Sequence, residues 1–70
     1  MVGTIGYNIY RLREKHNITI RHLAKEASVS DYSIRKIERG EMRASLQMLA
    51  KLARVLGCAV VDLLANVDNP

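Results

Sequence analysis

The sequence contains a single cysteine, a single proline, three tyrosines and neither phenylalanine nor tryptophan. Because Cys58 has no second cysteine to pair with, an intramolecular disulfide is excluded, and a short chain without a disulfide framework indicates a reducing, cytosolic setting. The one proline is Pro70, so no proline interrupts a helix in the body of the chain.

The scarcity of aromatic residues means that the core must consist mainly of Leu, Ile, Val and Ala, a composition typical of small helical bundles. Hydrophobic residues make up 49% of the 70 residues, and a chain of this size buries only about 60% of its unfolded surface. Most apolar side chains are therefore needed for packing. Since little volume remains for an active-site cleft, enzyme classes are disfavoured.

The sequence also lacks a basic-then-apolar leader and any apolar run long enough to cross a membrane. His16 and His22 have no cysteine or carboxylate at ligand spacing and are interpreted as surface residues rather than metal ligands. No nucleophile–base pair and no glycine-rich phosphate loop is present. We therefore expect a cytoplasmic protein with no catalytic residues, metal, cofactor or membrane partner.

Positive charge exceeds negative charge, with 11 Lys and Arg against 7 Asp and Glu and a net charge of +4. So small an excess is also common on solvated surfaces, but its distribution is informative. Four cations lie close together in the chain: Arg35, Lys36, Arg39 and Arg43. A local basic stripe of this kind is expected where a protein contacts a polyanion.

The spacing of apolar residues predicts five helices joined by short turns, and no segment alternates in polarity as a strand does. Residues suited to cap the first four helices are Thr4, Thr19, Ser30 and Ser45. The predicted inward faces include Leu46 in the fourth helix and Leu64 in the fifth. We expect an all-α fold, a compact five-helix bundle at 4–65 flanked by short tails at 1–3 and 66–70.

The stretch "LAKEASVSDYSIRKIERG" reads as two helices separated by only three residues, "SVS". Helices joined so tightly cannot lie side by side and must cross steeply. Ala24 and Ala27 are small enough for a close crossing, Val29 can fill the angle, and Ser30 can cap the new helix. The segment 20–39 therefore predicts a helix-turn-helix, whose second helix is held out from the body.

The free face of that second helix follows from the rotation of about 100° per residue. With Ile34 and Ile37 inward, Tyr32 and Arg39 point outward, flanked by Arg35 and Lys36. A helix with one aromatic and three cations outward fits the major groove of B-DNA.

The sequence resembles the lambda-repressor-like, Cro/cI-type helix-turn-helix family, also called XRE-type. The resemblance covers roughly residues 5 to 64. The motifs that carry it, in order along the chain, are "LRE" at 12–14, "LAKEA" at 23–27, "VS" at 29–30, "IRKIERG" at 34–40 and "LAKLARVLGCAVVDLL" at 49–64. Each piece alone is common, whereas the ordered set over one small domain is specific.

Four positions depart from the family's usual pattern. Ile20 stands where a glutamine usually helps to clamp a phosphate, and Ala44 stands in place of a proline. Ser28 replaces the turn glycine, which would place a non-glycine residue at positive φ at a cost of about 1 kcal/mol. Ala59 replaces the serine that usually caps the fifth helix, so a weak start is expected there.

The resemblance implies an ion pair between Arg13 and Glu38, joining the first and third helices. Together with the outward face, it gives a set of expected DNA contacts: Arg21, Ser30, Asp31, Tyr32, Ser33, Arg35, Lys36, Arg39 and Arg43. Asp31 is either an acceptor for a cytosine amino group or a favourable charge at a helix N-terminus.

These features predict a bacterial or phage regulator that binds a double-stranded DNA operator in a sequence-specific manner and represses by occlusion. Because one helix reads only a few base pairs, a homodimer is expected. Its interface is placed at the fifth helix and the turn before it, with Val61 and Val67 in an apolar patch. An antitoxin-like module that sequesters a toxin or another protein is the alternative, and a steep salt dependence would favour DNA.

Overall fold

The computed structural model describes residues 4–67, which form helices and turns and contain no strand. The helices are α1 (Ile5–Lys15), α2 (Ile20–Ala27), α3 (Asp31–Glu38), α4 (Leu46–Leu56) and α5 (Val60–Leu64). The packing is helix on helix: α3 contacts α1 and α2, α4 contacts α2, and α5 closes the bundle against α1 and α4. The expected all-α bundle of five helices is confirmed.

The first four helices begin at the predicted caps. The hydroxyl oxygens of Thr4, Thr19, Ser30 and Ser45 each accept a hydrogen bond from the backbone N–H three residues later, at 2.9 to 3.1 Å. Each bond satisfies a helix donor that has no partner within its own helix. Local chemistry therefore fixes where these helices start.

The N-terminus of the fifth helix is stabilised by a hydrogen bond that the sequence analysis did not predict. Ala59 offers no side-chain acceptor, but the carboxylate of Asp62 reaches back and accepts a hydrogen bond from the Ala59 N–H at 2.9 Å. The negative charge of Asp62 in the first turn also interacts favourably with the helix dipole. The expectation of a weak start at Ala59 overlooked this compensation.

The turn between α2 and α3 contains the left-handed residue that the sequence predicts. Ser28 adopts a left-handed conformation, with φ 57° and ψ 44°. The N–H of Val29 then donates to the carbonyl oxygen of Ala24 at 3.0 Å, which closes the end of α2. The predicted positive φ at Ser28 is confirmed, and the chain can restart as α3 only two residues later.

The core contains no aromatic residue among its twelve buried hydrophobic side chains. They are Ile9, Leu12, Leu23, Ala24, Ala27, Ile34, Ile37, Leu49, Leu52, Ala53, Leu56 and Leu63.

The predicted inward positions of Leu46 and Leu64 were wrong, because Leu46 is 70% exposed and Leu64 is 43% exposed. Leu46 is the first residue of α4, and its side chain points back beyond the packed part of the helix. Leu64 lies about 100° around α5 from Leu63, which occupies the inward position.

Two features of α1 fix its neighbours and were not predicted. The side-chain amide of buried Asn8 donates to the carbonyl oxygens of Leu63 and Ala65, both at 2.9 Å, and so ties the end of α5 to α1. Gly6 lies where α1 meets the end of α3: a Cβ atom there would press on the Ile37 carbonyl and lie 2.9 Å from the Cα of Glu38.

Candidate nucleic-acid interface

Helix α3 turns one face to the core and the opposite face to solvent. Ile34 and Ile37 are buried on the α2 and α1 side, whereas Tyr32 is 61% exposed. Arg35 and Arg39 are exposed as well. The sequence-derived orientation of the helix therefore agrees with the structure, and the basic face is free to meet a polyanion.

The first turn of α3 is ordered by its own hydroxyl groups. Ser30 accepts a hydrogen bond from the Ser33 N–H at 3.1 Å and lies 2.8 Å from the Ser33 hydroxyl. Asp31 follows the cap in the first turn and is exposed. A rigid first turn presents its side chains at fixed positions, which base readout in a groove requires.

Lys36 is held between an aromatic ring and a carboxylate. Its ammonium lies 5.5 Å from the centre of the Tyr32 ring and 3.4 Å from a carboxylate oxygen of Glu41. Glu41 reaches this position because the turn after α3 folds back. The Glu41 N–H donates a hydrogen bond to the Lys36 carbonyl oxygen at 2.8 Å. Sequence reasoning found Lys36 and Tyr32 but missed Glu41, whose only sequence signal is its place directly after the helix-ending Gly40.

Arg13 and Glu38 join α1 to α3 below the exposed face. The Nε and one Nη of Arg13 donate to the two carboxylate oxygens of Glu38 at 2.8 and 3.0 Å, and the other Nη donates to the Ile18 carbonyl oxygen at 3.1 Å. The hydrogen bonds to Glu38 raise the pKa of Arg13 above its ordinary value, despite the opposing effect of burial. The pair that the resemblance implied is present, and it sets the position of α3 on α1.

The two remaining basic residues expected at DNA lie outside α3. Arg21 is exposed in the first turn of α2, and Arg43 is exposed in the loop between α3 and α4. Within residues 4–67, neither forms a hydrogen bond or ion pair with α3. The structure therefore shows both residues as exposed cations, and their contact with phosphates stays a prediction.

A groove beside α3 was not predicted. It encloses about 390 Å³ between α1, the start of α2 and α3, and is lined by Tyr7, Tyr10, Ile20, Arg35, Glu38 and Arg39. The signal available in the sequence was the pair of tyrosines three residues apart on α1, which places both rings on one face.

The expected dimer residues lie at the other end of the molecule, on and after α5. Val61 is 68% exposed, and Leu64, predicted to be inward, adds a second exposed apolar side chain to this surface. Val67 is half-buried. Leu64 therefore joins Val61 in an exposed apolar patch, whereas Val67 is partly covered by its own chain.

The part of the chain that the structure describes contains neither a metal-ligand cluster nor a membrane-spanning helix. No group of three His, Cys, Asp or Glu side chains within residues 4–67 could hold a metal ion. None of the five helices described is long and apolar enough to cross a membrane. Burial raises the pKa of the Cys58 thiol, which favours the unreactive protonated form.

Comparison with known proteins gives consistent matches. Residues 9–63 match the helix-turn-helix family. A relative, an uncharacterized HTH-type transcriptional regulator of Methanocaldococcus jannaschii, is 35% identical over 57 residues, covering 81% of this chain and 86% of that protein.

Two solved structures of regulators have the same fold. The clp gene regulator ClgR of Corynebacterium glutamicum superposes with a TM-score of 0.85 at 30% identity, over 91% of this chain and 68% of that one. SinR, a master regulator for biofilm formation crystallised in complex with DNA, gives a TM-score of 0.84 at 32% identity, over 87% of this chain and 98% of that one.

Proposed function

The chain belongs to the helix-turn-helix family of transcription regulators, and from this premise we propose that it is a sequence-specific repressor that acts by occluding its operator. The family binds double-stranded DNA and its members are not enzymes. The single observation that carries the proposal is the exposed face of α3, where Tyr32, Arg35, Lys36 and Arg39 lie opposite the buried isoleucines.

In the proposed complex, α3 enters the major groove and its first turns read the base edges. Tyr32 and Lys36 are assigned to base contacts because they lie together on the outward face, with the Lys36 ammonium 5.5 Å from the centre of the Tyr32 ring. Ser30, Asp31 and Ser33 lie at the groove end of the helix. The cations assigned mainly to backbone phosphates are Arg21, Arg35, Arg39 and Arg43.

We propose that residues 4–65 are the DNA-binding domain and that two copies bind one operator through α5. Repression by occlusion is supported by the exposed face of α3, since a protein seated in the major groove of its operator blocks other proteins from the same site. The cytoplasm is the proposed compartment. An antitoxin-like role finds less support, because the family and the DNA-bound SinR structure both point to DNA.

The decisive experiment is selection of bound duplexes from a random library by the purified protein, followed by affinity measurements on the selected site at several salt concentrations. We expect a defined sequence to be enriched, and log Kd to rise linearly with log salt as counterions are released. Lys25→Ala removes an exposed cation of α2 that is not among the expected DNA contacts, so it serves as the control and should bind as the parent does. Failure to enrich any sequence would refute sequence-specific binding.

A further inference from the structure

Lys36 differs from the two other cations on the outward face of α3 in having a carboxylate beside it. Its ammonium lies 3.4 Å from one carboxylate oxygen of Glu41. Arg35 and Arg39 are exposed, and neither forms an ion pair with any residue of 4–67. The outward face therefore carries two guanidinium groups without a counterion and one ammonium whose charge is balanced locally.

The carboxylate of Glu41 makes the Lys36 ammonium a poor partner for a phosphate. The Glu41 side chain is 49% exposed, so its charge meets any anion that approaches Lys36. A phosphate beside this pair is attracted by the ammonium and repelled by the carboxylate, and the two interactions largely cancel. A neutral hydrogen-bond acceptor is not repelled in this way. In the major groove the neutral acceptors are the edges of the bases.

The number of donors left on Lys36 selects among the bases. An ammonium has three N–H donors and no acceptor, and the single oxygen of Glu41 within ion-pair distance takes up one of them. Two donors remain for a base edge. Guanine presents two acceptors to the major groove, N7 and O6, whereas adenine has an amino donor beside its N7 and thymine has only O4. Guanine is therefore the base that matches Lys36.

The ring of Tyr32 limits the directions in which Lys36 can point. Tyr32 precedes Lys36 by four residues, which places the two side chains next to each other on one face of α3. The ammonium lies 5.5 Å from the centre of the ring. Contact with an aromatic ring restricts a side chain that otherwise has many rotamers, and a donor positioned before binding loses less entropy on binding.

We propose that Lys36 reads a guanine of the operator by donating hydrogen bonds to its N7 and O6 atoms, with Tyr32 as the residue that positions the ammonium and Glu41 as the group that keeps phosphates away from it. The inference deepens the DNA-binding function proposed above and rests on it. Two observations select guanine: the locally balanced charge, which disfavours a phosphate, and the two remaining donors, which match two acceptors.

The first test changes the donor pattern at position 36. Bound duplexes are selected from a random library by the parent, by Lys36→Arg and by Lys36→Gln. We expect one position that is guanine for the parent and for Lys36→Arg, and adenine for Lys36→Gln, because an amide offers one donor and one acceptor to adenine. Replacing that guanine by adenine should weaken the parent at least tenfold.

The control for this selection is Lys25→Gln, which makes the same change in charge at an exposed residue of α2 that is not among the expected DNA contacts. It should select the sequence that the parent selects. The salt dependence gives a second readout: Lys36→Ala should keep the salt slope of the parent, since the pair with Glu41 makes no phosphate contact. The same selected bases for the parent and for Lys36→Gln would overturn the proposal.

The second test changes only the DNA. The guanine found in the first test is replaced by 7-deazaguanine, which keeps its base pairing and O6 but carries a C–H group in place of N7. We expect the affinity of the parent to fall about fivefold, whereas the affinity of Lys36→Ala should not respond to the replacement. Lys36 is not part of the core, so thermal unfolding should show this variant to be folded. Equal losses in both proteins would overturn the contact.

The outcomes separate the guanine contact from the wider function. A parent protein that enriches no sequence would refute sequence-specific binding, and the guanine contact with it. A parent that has a defined operator, in which no base preference depends on Lys36, would overturn the guanine contact alone. A salt slope smaller by about 1 in Lys36→Ala would then assign Lys36 to a phosphate.

Discussion

The guanidinium of Arg13 and the carboxylate of Glu38 are joined by two hydrogen bonds, 2.8 and 3.0 Å long, across 25 residues of sequence. Both side chains are only 10% exposed. The contact lies between the exposed face of α3 and the body of the protein, so it determines where that face is presented.

We predict that Arg13 and Glu38 act as a unit in stability. Removal of either partner leaves a largely buried charge alone, so Arg13→Met and Glu38→Gln should each lower the free energy of unfolding by about 3 kcal/mol. The double variant should lose clearly less than the sum, as measured by urea denaturation in a double-mutant cycle. Glu14→Gln, which removes a carboxylate 59% exposed and 3.5 Å from Arg13, should cost less than about 1 kcal/mol. Additive losses would contradict the pairing.

A second stability prediction concerns Gly6, which is buried where α1 meets the end of α3. Alanine is normally the better helix former, but here its methyl group would meet the backbone of Ile37 and Glu38, which cannot rotate away. We expect Gly6→Ala to destabilise by about 3 kcal/mol through overpacking. Thermal unfolding monitored by circular dichroism measures the loss, and a stabilised variant would show that α1 and α3 can separate at little cost.

How far the sequence predicts this structure depends on how local each feature is. The caps at Thr19 and Ser30 and the positive φ of Ser28 follow from residues within one turn, and they were predictable. The exposure of Leu64 was not predictable in this way, because helical spacing alone does not say where a five-residue helix stops touching the core.

The least predictable features join residues far apart in sequence. The Asn8 amide contacts the end of α5 across 55 residues, and the groove beside α3 draws its lining from three helices. No spacing rule connects such positions without knowledge of the packing. The outward face of α3 was predictable because the rotation of a single helix fixes it.

A third prediction tests the assignment of Tyr32 and Lys36 to the bases. Tyr32→Ala and Lys36→Ala should each weaken operator binding by about 1–3 kcal/mol, measured by fluorescence anisotropy on the selected site. Their thermal stability should stay near that of the parent, because neither side chain is part of the core. If both variants bind the preferred site as the parent does, α3 does not read the operator.

A fourth prediction concerns the carboxylate of Glu41, 3.4 Å from the Lys36 ammonium. It repels phosphates and holds Lys36 in an internal ion pair, so Glu41→Gln should strengthen binding by about threefold. The gain should be largest on unrelated duplexes, since a released Lys36 can contact any phosphate. Glu26→Gln, exposed on α2, makes the same change in net charge and should have a smaller effect. Weaker binding by Glu41→Gln would show instead that Glu41 positions Lys36 for the bases.

The last prediction addresses the proposed homodimer. Val61 is 68% exposed and Leu64 is 43% exposed on α5, and a two-fold axis through this surface would bury both against their copies. Burial of one valine contributes about 1.5–3 kcal/mol, so Val61→Glu should raise the dimer dissociation constant at least tenfold. Sedimentation measures this constant, and binding to a palindrome with half-sites about one helical turn apart measures its consequence for DNA binding.

Leu46→Glu, which changes an exposed leucine on α4, is the control for the dimer prediction and should dimerise as the parent does. A Val61→Glu protein that still dimerises would remove Val61 from the interface, and a parent that stays monomeric on its palindromic operator would refute the dimer.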